Sequence, residues 1–421
     1  ATECSIINTI INNSIDIFNK ILIIDEIHER SLYTDILLGI IRKINNQKKT
    51  NHFTFSKIVL MTATVSLKKY YHYMYPEKII IIKGACKRAI SYFLRKSISN
   101  YLLCSYIALK KIITKLNKKN ALVFLSGKDD ILLVRSLFNL HNKKRGISRN
   151  LVTLYSQFLN HYIDDSHRFS REGKLYLSTN LSETSITIKN LVFIIDSGYV
   201  KNNYYNKVFD VQVLKVTTIS KFESMQRFGR IGRIHTGYIL RLYTKDDFKK
   251  MHESKIPELY KVDLTHFLLM CSCIGFNTLN NFELLERPSD ISVRNAVKKL
   301  LFWGMLSTKS LEITKIGRLS IVLPMKLKSS SLIMESLINK CAISFIYTLP
   351  LLDSCENHLD INCSYMKHLF FKNRDVTTDF FPLERFFFSF LKLPPMMREY
   401  IMKRSNIDRK LMKNSYNIYK V

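Results

Sequence analysis

The feature that most constrains this chain is a short aliphatic segment that ends in charged side chains. Leu22 to Ile24 are aliphatic, and Asp25 and Glu26 follow directly within the segment LIIDEIHER. Such a run is typical of a strand buried on both faces, as in a parallel sheet covered by helices. Ligands of open α/β sheets bind at the carboxyl ends of strands. We therefore predict an α/β fold with a ligand site at Asp25 and Glu26.

Two explanations fit an acidic pair at the end of a strand. One carboxylate could hold Mg²⁺ on a phosphate while the other activates a water molecule, as in an NTPase. Alternatively, Asp25 and Glu26 simply begin a helix, since the first turn of a helix favours acidic residues. Companion motifs elsewhere in the chain decide between the two.

The composition indicates a globular protein with a polyanionic partner. The chain has 421 residues and is 47% hydrophobic, which allows about two to four domains. Lysine and arginine give a net charge of +31, and such an excess favours nucleic acid as partner. Part of it accompanies an abundance of Lys, Asn, Ile and Tyr typical of an AT-rich genome. No apolar run reaches the roughly 18–20 residues that span a bilayer, and the start lacks a signal peptide. We expect a soluble, intracellular protein without a membrane partner.

Hydrophobic patterning predicts a series of strands and helices in two parts of the chain. Before residue 254, apolar runs predict strands at 57–61, 79–83, 121–125, 151–155, 174–177, 191–195 and 238–243, with a hairpin at 207–217. Helical spacing predicts helices at 31–46, 101–117 and 129–140. The later residues are mainly helical, at 262–274, 292–303, 331–352, 382–391 and 397–412, with a short two-stranded wing at 307–314.

The segment QRFGRIGR carries three arginines at a spacing of three, namely Arg227, Arg230 and Arg233. This spacing predicts guanidinium groups on one side of a helix, and the glycines permit another backbone to approach closely. Arginines that face an acidic Mg²⁺ site stabilise charge during phosphoryl transfer. The alternative is an ordinary basic helix that contacts RNA.

In order and spacing, these segments resemble the motifs of the DEAH-box (DEAH/RHA) RNA helicases of superfamily 2. The segments that carry the resemblance are TEC at 2–4, DEIH at 25–28, TAT at 62–64, LVFLSG at 122–127, STNLSETSITI at 178–188 and QRFGRIGR at 226–233. Cysteine replaces glycine in the first, and isoleucine replaces the usual alanine in the second. The resemblance covers nearly the whole chain.

The resemblance implies two RecA-like parallel-sheet domains, the first of them partial, followed by a mostly α-helical winged-helix and ratchet region. The predicted domains are residues 1–95, 96–253, 254–322 and 323–421.

The resemblance also implies ATP and Mg²⁺ as cofactors and assigns roles at the nucleotide site. Asp25 would bind Mg²⁺ through water, and Glu26, beside the metal, would orient and deprotonate the attacking water. His28 would link this motif to Thr62 and Gln226. The other implied roles are coupling of nucleotide state to domain closure by Thr62 and Thr64, contacts to the γ-phosphate and attacking water by Gln226, Arg230 and Arg233, and nucleotide binding by Tyr199, Thr187 and Arg227.

Single-stranded RNA, held through its backbone, is the partner that the resemblance implies. The implied RNA-binding residues are Thr2, Glu3, Ser126, Gly127, Thr179, Asn180 and Thr184. Further implied partners are an activating protein of the G-patch type or a pre-ribosomal or spliceosomal particle, in the nucleus or nucleolus. The implied function is an ATP-dependent RNA helicase acting in rRNA processing or splicing.

These residues contain no G-x-x-x-x-G-K-[ST] phosphate-binding loop. Two hypotheses therefore stay open: a helicase whose phosphate-binding loop lies outside this sequence, and a non-enzymatic RNA-binding scaffold. A viral superfamily 2 helicase is a third, although the helical tail and the SETSITI segment favour the cellular group.

Overall fold

A computed structural model describes residues 2–11, 20–46, 57–63, 67–82, 88–113, 119–145, 151–155, 173–180, 188–232, 235–275, 283–323, 325–341, 345–346, 348–349, 353, 387–404 and 416. The chain divides into two compact units. One is Asp16–Val262, and the other combines Ala1–Ile15 with Asp263–Val421.

The elements in chain order are α1 (Glu3–Ile11), β1 (Ile21–Ile24), α2 (Leu32–Asn46), β2 (Lys57–Leu60), α3 (Leu67–Met74), β3 (Ala89–Leu94), α4 (Tyr101–Ile113), β4 (Asn120–Phe124), α5 (Lys128–Arg145), β5 (Leu151–Leu154), β6 (Leu175–Ser178), β7 (Leu191–Asp196), β8 (Tyr199–Asn206), β9 (Val211–Thr218), α6 (Lys221–Phe228), β10 (Gly237–Thr244), α7 (Lys245–Lys250), α8 (Thr265–Cys273), α9 (Asp290–Phe302), α10 (Lys315–Val322), α11 (Leu327–Ile338) and α12 (Pro395–Arg404). Short 3-10 helices occur at Ile27–Glu29 and Glu258–Tyr260.

The first sheet contains β1 and β2, which pair in parallel from Ile21 opposite Lys57 to Ile24 opposite Leu60. Leu22 and Ile24 are buried, whereas Ile21 and Ile23 are 59% and 58% exposed. The prediction of a strand buried on both faces is therefore wrong for the described residues, because they cover only one face of this sheet.

The second sheet has six parallel strands in the order β3-β10-β7-β4-β6-β5. Alternate residues of β4 enter two different apolar clusters, Val123 with residues of α4 and α5 and Leu122 with Ile231. Burial on both faces is what a parallel sheet flanked by helices requires. The predicted α/β class with a helical C-terminal region is confirmed.

Strand β3 extends the second sheet in a way that the sequence did not indicate. It lies before the predicted domain limit at residue 95, yet it pairs with β10 from Ala89 opposite Gly237 onward. At the other limit, residues 254–262 belong to the same compact unit as both sheets. The predicted limit at residue 322 stays a prediction.

Two other strand predictions need correction. The hairpin consists of β8 and β9, paired from Tyr199 opposite Thr218 to Asn206 opposite Val211, so it begins before the predicted 207–217. Strand β8 is rich in Asn and Tyr and lacks an apolar pattern. Residues 78–82 are not a strand, because no described strand pairs with them, and Ile79–Ile82 lie exposed.

The C-terminal unit is helical where it is described. An isolated antiparallel bridge joins Leu306 to Ile313. Ile313 lies within the predicted wing at 307–314, and Leu306 directly precedes it. Side-chain caps at Ser289 and Thr314 begin α9 and α10. None of the described helices is long and apolar enough to cross a membrane.

Candidate functional site

The acidic segment after β1 forms a tight turn around the 3-10 helix Ile27–Glu29. Residues with left-handed backbone angles flank it on both sides, Glu26 at φ 53° and Arg30 at φ 52°. The Glu26 amide donates to Asp25 Oδ1 at 2.8 Å. A left-handed conformation costs a non-glycine residue roughly 1 kcal/mol. The surrounding contacts must therefore hold the turn in place.

Three hydrogen bonds to neighbouring segments hold the first part of this turn. The Met61 amide donates to Ile24 O at 2.8 Å, and the Ile27 amide donates to Met61 O at 3.2 Å. The Tyr70 hydroxyl donates to Ile27 O at 3.1 Å. Burial raises the pKa of Tyr70 to about 12, so the hydroxyl keeps its proton and remains a donor. The turn is thus attached to both β2 and α3.

His28 connects this turn to helix α6. Its Nδ1 atom lies 3.1 Å from Thr62 Oγ1, and its Nε2 atom lies 2.7 Å from Gln226 Nε2. The ring also packs edge-on against Phe222, with centroids 4.6 Å apart. Burial, and secondarily the positive charge of Lys255, lower the pKa of His28 below 6.5, although Glu29 and Asp25 oppose the shift. A neutral ring with its proton on Nδ1 donates to Thr62 and accepts from the amide of Gln226.

Glu26 stands beside this imidazole and is open to solvent on one side. Its Oε2 atom lies 3.1 Å from His28 Nε2, and its side chain is 44% exposed. Burial, followed by the charge of Asp25, raises the pKa of Glu26 above 4.5, and the charge of Arg230 opposes the rise. A raised pKa makes a carboxylate a stronger base.

Helix α6 carries Gln226 to this site. Ser220 and Glu223 form a capping box at its start, and the helix ends at Phe228 with Gly229 as the C-cap. Arg230 therefore lies beyond the helix. The prediction that the arginines line one side of a helix is wrong, because the helix ends at Phe228, before Arg230, and Arg227 faces the core.

Arg227 is fully buried, and partners within the protein surround its guanidinium. It forms an ion pair with Asp196 and donates to Asn180 Oδ1 at 2.7 Å and to Tyr199 O at 3.3 Å. Its charge also lies 4.8 Å from the ring centre of Phe124. Direct nucleotide binding by Arg227 is not supported by these contacts, which instead fix the ends of β6 and β7 against α6.

The remaining predicted residues lie in several places. Tyr199 packs against Tyr101 at 4.7 Å between ring centroids, and both Tyr101 and Ser126 bond to Asp130. Gly127 precedes α5. The Thr179 amide donates to Leu154 O at 3.3 Å.

Two predicted RNA-binding residues belong to the other unit. Thr2 Oγ1 accepts from the Ser5 amide at 3.3 Å at the start of α1, where Glu3 follows in the first turn. Four predicted residues lie outside the described part of the chain, namely Thr64, Thr184, Thr187 and Arg233.

The structure thus gathers Asp25, Glu26, His28, Thr62, Gln226 and Arg230 at one place. Sequence reasoning assigned no role to Arg30, Asp35 or Glu258, which support the same turn. Arg30 and Asp35 form a buried ion pair with Nε 2.7 Å from Oδ1. Arg30 precedes α2 and Asp35 lies in its first turns, so their spacing of five does not match the helical repeat. Only the structure identifies them as a pair.

The acidic pair fits Mg²⁺ of the kind found in nucleotide sites. Among the described residues no group of three or more His, Cys, Asp or Glu side chains could form a metal cage. Mg²⁺ usually keeps several waters and is held by one or two carboxylates together with phosphate oxygens. Asp25, which is exposed beside Glu26, would supply such a carboxylate.

Comparison with known proteins finds relatives that match about three quarters of the chain. The chain is 30% identical over 326 residues to the ATP-dependent RNA helicase HrpA of Borreliella burgdorferi. The matched region covers 76% of this chain and 38% of HrpA. It is 27% identical over 331 residues to human ATP-dependent RNA helicase DHX33, and the match covers 75% of this chain and 46% of DHX33. It is also 27% identical over 339 residues to the pre-mRNA-splicing factor ATP-dependent RNA helicase prp22 of Schizosaccharomyces pombe. That match covers 79% of this chain and 28% of prp22.

The chain spans less than half the length of each of these relatives. No family model matches it. The fold is similar to the crystal structure of the Escherichia coli DExH-box NTPase HrpB, with a TM-score of 0.72 and 18% identity over 99% of this chain and 49% of the other. At that identity the likeness concerns the fold.

Proposed function

Because this chain is homologous to DEAH-box ATP-dependent RNA helicases, we propose that it acts in such an enzyme. It would form one part of a nucleotide site and use RNA-stimulated ATP hydrolysis to remodel RNA or RNA–protein particles. The observation that carries the proposal is the position of His28 between Thr62 and Gln226. This imidazole joins the acidic turn of one sheet to the arginine-rich segment of the other.

The geometry suits general-base activation of water by Glu26. Its carboxylate is partly exposed and its pKa is raised by burial and by Asp25, so it can take a proton from a water on its open side. Arg230 is close enough to act on the charge of Glu26. A cation there would stabilise negative charge that develops on a transferred phosphoryl group. Asp25 would hold Mg²⁺, which neutralises phosphate charge when bound.

Single-stranded RNA is the polyanion that we propose for the excess positive charge of +31. Backbone contacts to phosphates dominate such binding and make it depend strongly on salt. One relative is named as a splicing factor, and we propose an RNA–protein particle in rRNA processing or splicing as the setting. A nuclear or nucleolar location and an activating protein of the G-patch type belong to the same proposal.

The test measures ATP hydrolysis by the full-length gene product with and without single-stranded RNA. Glu26→Gln keeps the size of the side chain but removes the base, so RNA-stimulated turnover should fall by about 100-fold or more. Asp246→Asn is the matched control, because Asp246 forms an ion pair with Lys249 in which both side chains are exposed. Unchanged turnover in Glu26→Gln would refute the role of Glu26.

The same preparation distinguishes the helicase from the RNA-binding scaffold. A scaffold would bind RNA, with an affinity that falls steeply as salt rises, yet the wild-type protein would not hydrolyse ATP. A helicase shows both activities. A protein that does neither contradicts both hypotheses.

A further inference from the structure

The far end of the acidic turn is fixed by a residue that lies 226 positions later in the chain. Glu258 Oε2 accepts a hydrogen bond from the Leu32 amide at 2.9 Å. In the opposite direction, the Glu258 amide donates to Arg30 O at 3.1 Å. Glu258 therefore bonds to the backbone on both sides of the junction between the turn and α2.

Each of these bonds satisfies a backbone group that the local chain leaves open. Leu32 is the first residue of α2, and the first amides of a helix have no partner within it. A carboxylate is also favoured there by the helix dipole. Arg30, in its left-handed conformation, ends the 3-10 helix. A shift of Glu258 would release both groups together.

The side chain of Arg30 is anchored separately. Its Nε and Nη2 atoms lie 2.7 Å and 3.1 Å from the two carboxylate oxygens of Asp35 in α2, and the pair is buried. Arg30 is thus held through its carbonyl by Glu258 and through its guanidinium by Asp35. Only three residues lie between Glu26 and Arg30, so the position of this anchor limits where the Glu26 carboxylate can lie.

The segment that carries Glu258 is itself attached to the β8–β9 hairpin and to α6. The Lys221 and Phe222 amides donate to His252 O at 2.8 Å and to Glu253 O at 3.2 Å. Beyond Glu258, Lys261 O accepts from the Tyr205 amide at 2.6 Å. Because α6 also carries Gln226, the segment 252–261 forms a second connection between the acidic turn and α6, besides the His28 contact.

We propose that Glu258 is a positioning residue, which holds the acidic turn in register with Gln226 so that Glu26 and His28 keep their places. It does not touch the reacting atoms. Its effect on turnover depends on the proposed ATPase function, whereas its effect on the turn does not.

The test compares Glu258→Ala and Glu258→Gln in the full-length protein. Alanine removes the acceptor for Leu32, so kcat for RNA-stimulated ATP hydrolysis should fall about 10- to 100-fold, as for residues that orient a catalytic group. KM for ATP should change by less than about 3-fold, because Glu258 contributes nothing to uniform binding. Glutamine keeps one oxygen acceptor and should recover most of the activity. Asp246→Ala is the control, because Asp246 forms an exposed pair with Lys249 outside this connection, and it should leave kcat unchanged.

Hydrogen exchange supplies a second measurement that needs no activity. In Glu258→Ala the Leu32 amide should exchange at least about 10-fold faster, while amides of β4 keep their protection. Equal acceleration in β4 would indicate general destabilisation and would overturn the proposal. The proposal would also be overturned if the exchange rate of the Leu32 amide were the same in Glu258→Ala as in the wild type. The same holds if the wild type is active and Glu258→Ala has the same kcat. A wild-type protein without ATPase activity defeats the proposed function, and the Leu32 amide still decides the positioning role.

Discussion

The Nε2 atom of His28 lies 2.7 Å from the Nε2 atom of Gln226, although 198 positions separate the two residues. A neutral imidazole accepts a hydrogen bond from this amide nitrogen, and burial favours the neutral form because it lowers the pKa of His28. The contact between the acidic turn and α6 therefore depends on the protonation state of one histidine.

Acidification should destabilise the unit that contains His28. Its pKa is lowered in the folded state, so below the unfolded value of about 6.5 the unfolded chain binds more protons. The free energy of unfolding should fall as the pH drops through 6.5 and onward to the lower folded pKa, by at most about 1.4 kcal/mol per pH unit for one proton. Urea titrations at several pH values measure this. His28→Gln should weaken the dependence, whereas replacement of the exposed His252 by Gln should leave it intact.

A carboxylate in place of the Gln226 amide should favour the charged form of His28 over the neutral form. In Gln226→Glu the imidazole faces a negative acceptor, which favours its charged form, so the pKa of His28 should rise by about 1 unit or more. Nitrogen-15 NMR of labelled histidine follows both ring nitrogens directly. The exposed Gln212→Glu is the matched control. A His28 titration that is the same in both variants would contradict the contact.

Removal of the Arg227 side chain should strongly destabilise the second sheet. Asp196 would be left buried without its cation, and breaking a buried ion pair in this way costs about 3–5 kcal/mol. Lys249→Ala breaks an exposed pair with Asp246, whose side chains are 76% and 79% exposed, and should cause no measurable change. Chemical denaturation of the two variants provides the comparison. A small loss in Arg227→Ala would mean that solvent reaches Asp196 in the folded protein.

A methyl group at Gly198 should also be poorly tolerated. This residue has φ +80°, and an added Cβ would lie 2.6 Å from Tyr243 Cδ1. Tyr243 donates to Asp196 Oδ2 at 2.8 Å, so displacing its ring disturbs the same buried carboxylate. We expect Gly198→Ala to lose about 2 kcal/mol or more of unfolding free energy, from backbone strain together with the clash.

Gly229→Ala serves as the control for that substitution. Gly229 has φ −64°, and an added Cβ would meet its nearest neighbours at an ordinary 3.5 Å. The same thermal or chemical unfolding experiment should show little loss, or a small gain from reduced freedom of the unfolded chain. Equal losses at the two glycines would rule out the clash with Tyr243 as the cause.

Local patterns predicted most of the second sheet because central strands such as β4 and β7 are short apolar runs with burial on both faces. They failed where the outcome depends on distant partners. Residues 79–83 have the composition of a strand, but pairing requires a neighbour. The three arginines of the QRFGRIGR segment have equal spacing, so spacing gave no sign that Arg227 is buried. Its burial depends on Asp196, 31 positions earlier.

The candidate site shows the same division. The position of Asp25 and Glu26 at the end of a strand predicted them as site residues. The contact between His28 and Gln226 was predicted only from the resemblance to a family. The left-handed angles of Glu26 and Arg30 have no signal in the residues themselves, because neither is Gly or Asn. Tertiary contacts from Met61, Tyr70 and Glu258 impose them.

The exposed isoleucine segment has a practical consequence for handling the protein. Ile79, Ile80, Ile81 and Ile82 are 47%, 71%, 73% and 89% exposed, and a short run of high β-propensity without charge can pair edge to edge with its own copies. Lys78 and Lys83 flank it in the sequence and oppose this association through charge repulsion. High ionic strength screens that repulsion. Concentrated samples should therefore self-associate as salt is raised.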